Sequence, residues 1–213
     1  TIRTTIGAGR SSAAQHSQSL QAWLAHIPGI KVAIPSTPAD LKGLLKTAIR
    51  DDNPTIIYED KMMYNMKGMV PSGEYTIPFG VADIKREGTD VTVVATSSMV
   101  HTALAAAETL AQEGVSVEVV DPRTLSPLDK DTILASVRKT SRAVVVDEGY
   151  RSFGVTGELA SMIADEAFDD LDAPVKRIGA MDVPVPFSPG LEPATIPNEE
   201  KIVRAVQSLF RDV

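Results

Sequence analysis

Residues 91–120 read VTVVATSSMVHTALAAAETLAQEGVSVEVV, and this stretch decides the fold. Val91 to Ala95 is a β-rich apolar run, read as a strand. Val100, Ala103, Leu104, Ala107, Leu110 and Ala111 then recur at helical spacing, and Gly114 closes the stripe, since glycine takes the left-handed conformation that ends helices. Val115, Val117 and Val119 alternate as a second strand.

Working outward, the same alternation continues. Asp129 to Val137 reads as a helix, and Ala143 to Val146 as a strand covered on both faces, because its β-branched run is nearly unbroken. Leu159, Ile163 and Ala167 mark a helix, Val175 to Ile178 a strand, and Pro184 to Pro197 an extended proline-rich stretch. Ile202, Val206 and Leu209 stripe a closing helix. Upstream, residues 1 to about 60 hold a strand, a glycine-rich stretch, a helix over Ser19 to His26, a short strand over Lys31 to Ile34, a second helix and a buried strand at Thr55 to Tyr58. Thr37 can cap that second helix and Pro38 suits its first position; Leu41, Leu44, Leu45 and Ala48 share a face, and Asn53-Pro54 stops it. Strands alternating with helices imply an α/β fold, with a mostly parallel sheet and helices on both faces. From Glu59 to about Gly80 the periodicity fails: Met62, Met63, Met66 and Met69 mix with Gly68, Pro71, Gly73 and Pro78, which reads as a linker between two units.

Composition removes several function classes. The 213 residues include 21 Lys and Arg against 28 Asp and Glu, with no basic run, so a phosphate-backbone footprint is missing and no nucleic-acid partner is expected. No apolar run approaches the roughly 20 residues that span a bilayer, so no membrane span is expected. No signal peptide pattern is present, and a cytoplasmic location is expected. Zero cysteines exclude disulfides, thiol nucleophiles and zinc–thiolate sites. The chain opens Thr1-Ile2-Arg3-Thr4-Thr5-Ile6, strand-like from the first residue, which reads as part of something longer.

Candidate chemistry is sparse. Gly7-Ala8-Gly9-Arg10-Ser11-Ser12 follows a strand, but Ser12 stands where a dinucleotide fingerprint needs its third glycine, and no acid follows at the ribose position; a backbone bend is the simpler reading. His16, in Gln15-His16-Ser17-Gln18-Ser19, precedes a helix, and an imidazole there suits either proton transfer or a capping role. His26 and His101 lack metal-ligand partners at useful spacing and read as structural. Around Ala48-Ile49-Arg50-Asp51-Asp52-Asn53-Pro54, unpaired helix-end carbonyls, the Asp51 carboxylate and the Asn53 amide oxygen converge; this suits a hard cation or a plain helix stop. Asp147-Glu148-Gly149 and Asp121-Pro122-Arg123 each sit at a strand end, where open α/β sheets bind ligands; a helix-leading turn is the favoured reading of the first, and Arg123 suits an interface or an anion contact.

Taken in order, these segments resemble the beta subunit of the thiamine diphosphate-dependent dehydrogenase component of 2-oxo acid dehydrogenase complexes. Gln15-His16-Ser17-Gln18-Ser19 is similar to that family's active-site histidine motif, and Ile27-Pro28-Gly29-Ile30-Lys31-Val32, Pro35-Ser36-Thr37-Pro38 and Asp121-Pro122-Arg123-Thr124 to further signatures. Glu59 to Asn65 is most similar to the acetoin dehydrogenase branch. The resemblance implies the later part of a pyrimidine-binding domain over 1–66, a linker over 67–80 and a transketolase C-terminal-like domain over 81–213. It implies that His16 is catalytic and that Ala48, Ile49, Asp51 and Asn53 help hold potassium. Thiamine diphosphate would be shared with an alpha subunit that also carries magnesium, in an alpha2-beta2 heterotetramer feeding a lipoyl acyltransferase core. The substrate would be a small molecule, acetoin or a 2-oxo acid; a transketolase or deoxyxylulose-phosphate synthase fragment and a non-catalytic assembly module are the alternatives. The family's cofactor-activating glutamate falls upstream of Thr1 and Glu59 is not its equivalent, so the sequence is expected to be truncated.

Overall fold

The computed structural model describes residues 1–210. Chain order runs β1 (Ile2–Ile6), α1 (Gln21–Ala25), β2 (Lys31–Ala33), α2 (Pro38–Ile49), β3 (Thr55–Asp60), β4 (Asp83–Arg86), β5 (Val91–Ala95), α3 (Met99–Gln112), β6 (Val117–Asp121), β7 (Thr124–Ser126), α4 (Lys130–Thr140), β8 (Ala143–Tyr150), α5 (Val155–Glu166), β9 (Lys176–Ala180), α6 (Glu192–Thr195) and α7 (Glu199–Ser208). The strands form two sheets, ordered β1-β3-β2-β7 and β4-β6-β5-β8-β9.

The second sheet is parallel from β6 to β9. Its faces are divided by the alternation of β5 and β8. Val93, Val144 and Val146 meet Ala103 and Leu110 of α3 and Ile202 and Val206 of α7 on one side. Val94 and Val145 meet Ile133 and Val137 of α4 and Leu159 and Ile163 of α5 on the other. Covering both faces explains why these strands read as continuous apolar runs. Each large aliphatic side chain buried here contributes about 1.5–3 kcal/mol.

In the first sheet β1, β3 and β2 are parallel. Ile6, Val32, Ile56 and Tyr58 pack with Leu24 of α1, while Ala33 and Ile57 pack under Leu44 and Ala48 of α2. Helix α2 starts as its sequence predicts: Thr37 is the N-cap, its hydroxyl accepts from Asp40 N at 3.0 Å, and Pro38 follows.

Two edge strands depart from the expected alternation. β4 joins the second sheet antiparallel to β6, and β7 leaves its own unit to join the first sheet antiparallel to β2, pairing Ala33 with Thr124. The turn before β7 puts Arg123 at φ 56°, and Ile34 N donates to Arg123 O at 2.8 Å. The stretch that reads as a linker is also not free. Ile77 and Phe79 pack on the α2 core, Tyr75 Oη donates to Ala39 O at 2.8 Å, and Gly43 is needed because a β-carbon there would lie 2.5 Å from Ile77. The proline-rich tail carries the short α6 within it.

A buried ionic cluster joins the two units. Lys85 Nζ lies 2.9 Å from Asp40, 2.7 Å from Asp83 and 3.6 Å from Asp121, and Arg123 pairs with Asp83 at 3.0 Å and Asp40 at 3.4 Å. Ser36 Oγ donates to Asp121 at 2.5 Å, and His101 Nε2 donates to Ser36 O at 2.7 Å. His101, read as structural from the sequence, and Arg123 are therefore contacts between the two units. Among the described residues no helix is long and apolar enough to cross a membrane.

Candidate functional site

The carboxyl ends of β1, β3 and β8 converge, although β8 belongs to the other sheet. β1 ends at Ile6, and the glycine-rich stretch turns away from it. Gly7 has φ 100°, and a β-carbon there would sit 2.7 Å from Asp60 Oδ1, so only glycine fits. Ala8 N donates to Glu148 Oε1 at 2.8 Å. Gly9 N and Ser11 N donate to Glu192 Oε1 and Oε2 at 2.7 and 2.8 Å. The bend is thus held by carboxylates of the second unit. Amides so engaged do not offer themselves to a dinucleotide phosphate, and this favours the simpler of the two sequence readings.

His16 closes a short 3-10 turn, Ala14–His16, just beyond this bend. Its side chain is exposed, and its backbone carbonyl accepts from the Lys61 ammonium. Ser17, next to it, is buried. Lys61 follows β3 directly; burial lowers its pKa, opposed by Asp60, Glu148 and Glu192, while Arg10 adds to the lowering. An exposed imidazole on a turn fastened from both sides can meet a group presented from outside the chain.

Beneath the bend lie carboxyl groups that sequence reasoning left as turn residues. Asp147 is fully buried and accepts from Thr96 Oγ1 at 2.5 Å, from Gln21 Nε2 at 2.8 Å and from Gly149 N at 2.7 Å. Burial raises its pKa and these donors offset part of the rise. Glu148 is pushed up to about 8, first by burial and then by the neighbouring Asp60, with which it is in hydrogen-bonding reach. Asp60 Oδ1 accepts from Met62 N at 2.8 Å, while its Oδ2 is buried without another donor among the described residues. The position of Asp147 and Glu148 at a strand end was the legible signal; Glu192, inside the proline-rich tail, gave none. A cavity of about 200 Å³ opens beside β3, lined by Pro35, Thr37, Glu59, Met63 and Tyr64. Glu59 there is paired with Arg3 at 2.5 and 2.9 Å.

The second candidate group gathers at the end of α2, remote in sequence from the bend. Ala48 O accepts from Thr1 Oγ1 at 2.8 Å and from Asp51 N at 3.3 Å. Asp51 Oδ1 accepts from Asn53 N and Nδ2 at 2.9 and 2.8 Å, and Asp51 Oδ2 from the Lys31 ammonium. The Lys31 hydrogen bond holds the Asp51 pKa down to about 2, with the Asn53 bonds adding to it. The Ala48 carbonyl and the Asp51 carboxylate are hard oxygens of the kind a hard cation takes, although both Asp51 oxygens are engaged here by Lys31 and Asn53.

Comparison with known proteins follows this geometry. Residues 1–67 match the transketolase pyrimidine-binding domain and residues 80–202 the transketolase C-terminal domain. The chain is 52% identical over 210 residues to the beta subunit of acetoin:2,6-dichlorophenolindophenol oxidoreductase of Bacillus subtilis (strain 168), covering 99% of this chain and 61% of that one. It is 46% identical to the pyruvate dehydrogenase E1 component subunit beta of Rickettsia felis, covering 98% and 64%. It is 42% identical to the 2-oxoisovalerate dehydrogenase subunit beta of Bacillus subtilis (strain 168), also covering 98% and 64%. The chain thus spans just over three fifths of the length of these curated relatives. Among solved structures, a split-gene transketolase described as an inactive beta4 tetramer superposes with a TM-score of 0.79 at 27% identity, over 98% of this chain and 66% of that one. With both domain models matched in order along a chain of this architecture, the protein belongs to the transketolase family, joining its pyrimidine-binding and C-terminal domains.

Proposed function

We propose that this chain works as the beta subunit of a thiamine diphosphate-dependent dehydrogenase, an oxidoreductase that cleaves acetoin or decarboxylates a 2-oxo acid and passes the acyl group to a lipoyl acyltransferase. The observation that carries the reading is the placement of His16: exposed, on a turn fixed at the meeting point of three strand ends, in a chain whose relatives are named as such subunits. In this reading residues 1–66 and 81–213 are the two domains and 67–80 joins them; residues 211–213 lie outside the described part.

Thiamine diphosphate, when bound, supplies an electron sink for breaking the bond beside a carbonyl. This chain fits only a share of that site. The amides of residues 8, 9 and 11 are engaged by Glu148 and Glu192; by the family resemblance, the diphosphate and its magnesium would belong mainly to an alpha subunit in an alpha2-beta2 assembly. The role of His16 is to give and take a proton at a ring nitrogen as the acyl group moves to the dithiolane. Ala48, Ile49, Asp51 and Asn53 would hold potassium and so brace α2. A phosphorylated-sugar substrate is disfavoured because Lys61, the cation fastened to the His16 turn, faces Asp60, Glu148 and Glu192. The proposed location is the cytoplasm.

The test is His16→Ala in the full-length subunit assembled with its alpha partner. Reductive acylation of a lipoyl domain should fall by about 10²–10⁴-fold, the usual worth of a positioned acid–base group, while assembly measured by sedimentation stays intact. Undiminished acylation would remove His16 from the chemistry.

A further inference from the structure

The turn that carries His16 has no hydrophobic anchor of its own: among residues 9–16 none is buried. What holds it is polar and comes from far away. Three amides of the bend, those of Ala8, Gly9 and Ser11, reach carboxylates 140, 183 and 181 residues distant in sequence. Gly7, Gly9, Ser11 and Ala13 all have positive φ, between 51° and 100°. Backbones with such residues interleaved can line up successive N–H groups into an anion-binding concavity. Here both carboxylate oxygens of Glu192, which is 2% exposed, face that row, and Glu148 extends it by one amide.

We infer that Glu148 and Glu192 are the positioning residues of this site: the second domain supplies built-in anions to the Gly7–Ser11 amides and thereby sets where the His16 imidazole stands. The inference rests on the proposed role of His16 for its meaning, but the clamp itself can be measured without any turnover. It also gives the tail segment 184–197 a task, since Glu192 lies on the short α6 within it. Glu148 does double duty. When protonated it can donate to the neighbouring Asp60 carboxyl while Oε1 accepts from Ala8 N. The other groups facing Glu148 are Asp147 on its own strand and the Lys61 ammonium beyond β3. Glutamine at 148 reproduces this pattern, its amide donating to Asp60 and its oxygen accepting from Ala8.

Hydrogen–deuterium exchange on the full-length subunit in its assembled complex, peptide by peptide, tests this. In Glu192→Ala, exchange over residues 8–16 should accelerate by at least roughly tenfold, as expected for amides losing charged acceptors, while β5 and β8 peptides keep their protection. Glu148→Ala should loosen the same peptide, and Glu148→Gln should restore it. Glu192→Gln, which keeps one acceptor oxygen, should fall between wild type and alanine and stands in should the alanine chain not fold. Turnover in Glu192→Ala should fall by about 100-fold with KM nearly unchanged, the cost of a misplaced catalytic group. Unaltered exchange over 8–16 in the alanine variants overturns the inference, as does acceleration spread evenly over every peptide, which would make the carboxylates general cement. Loosened exchange with full turnover leaves the clamp standing and refutes the role of His16. Unaltered exchange in a system where His16→Ala is inactive does the reverse.

Discussion

Glu148 at the end of β8 and Asp60 at the end of β3 bring their carboxyl groups within hydrogen-bonding reach across the junction of the two domains, directly under the bend that leads to His16. Burial and the neighbouring Asp60 carboxyl both disfavour the ionised form of Glu148, whose pKa is pushed up to about 8. The domains are therefore joined at this point by an acid as well as by apolar packing.

This shift makes stability depend on pH. The Glu148 pKa is raised in the folded chain, to about 8, by burial and by Asp60. A raised carboxyl contributes stability in full below its unfolded value near 4.5, and this is lost as pH rises through the folded value. The melting temperature of the wild type should therefore fall between pH 6 and pH 9 relative to Glu148→Gln, whose neutral amide needs no proton. Parallel melting curves for the two chains across that range would show that Glu148 is not a group retaining a proton.

A second prediction concerns the end of α2. Asp51→Ala removes an acceptor shared by Lys31 and Asn53. If the surrounding oxygens also hold potassium, the melting temperature should drop further in potassium chloride than in a buffer whose only cation is tetramethylammonium. An equal drop in both would assign Asp51 to Lys31 alone. The same carboxylate, with its pKa lowered to about 2, supports the fold above its unfolded value and ceases to do so only as pH falls through about 2.

The ionic cluster between the units offers a third. Lys85→Met leaves Asp121, which is fully buried, without its cation, and leaves Asp40 and Asp83 with Arg123 alone. Breaking a buried pair on one side costs about 3–5 kcal/mol. Asp121 is already raised to about 6 by burial, against the pull of Ser36 and Lys85. The loss measured by urea titration should therefore be larger at pH 8 than at pH 5, where Asp121 takes up a proton. A pH-independent loss would point to lost side-chain packing instead.

Much of the architecture was legible in residue order because hydrophobic period is a local property. The stripe from Val100 to Ala111, the β-branched runs at 91–95 and 143–146, and Thr37-Pro38 at the start of α2 each report their own conformation through side chains a few positions apart. His16 stood out for the same reason, its neighbours forming a compact motif. The edge strands β4 and β7 were not legible: three or four residues of mixed polarity carry too little periodicity, and their pairing partners belong to segments met elsewhere in the chain. Nor was the packing of Ile77 and Phe79 onto α2, since a segment without period can still be pinned by single side chains.

By itself, then, the amino-acid order determined most of the helices and strands, the α/β class, and the histidine proposed here for proton transfer. Only the tertiary structure decided that the glycine-rich bend receives carboxylates and not phosphate, that Glu148 meets Asp60, and that Glu192 reaches back from the tail to the first domain. The physical reason is distance along the chain: a carboxylate 183 residues from the amide it binds leaves no pattern in either place, and the burial that raises the Glu148 carboxyl exists only once both domains have closed around it.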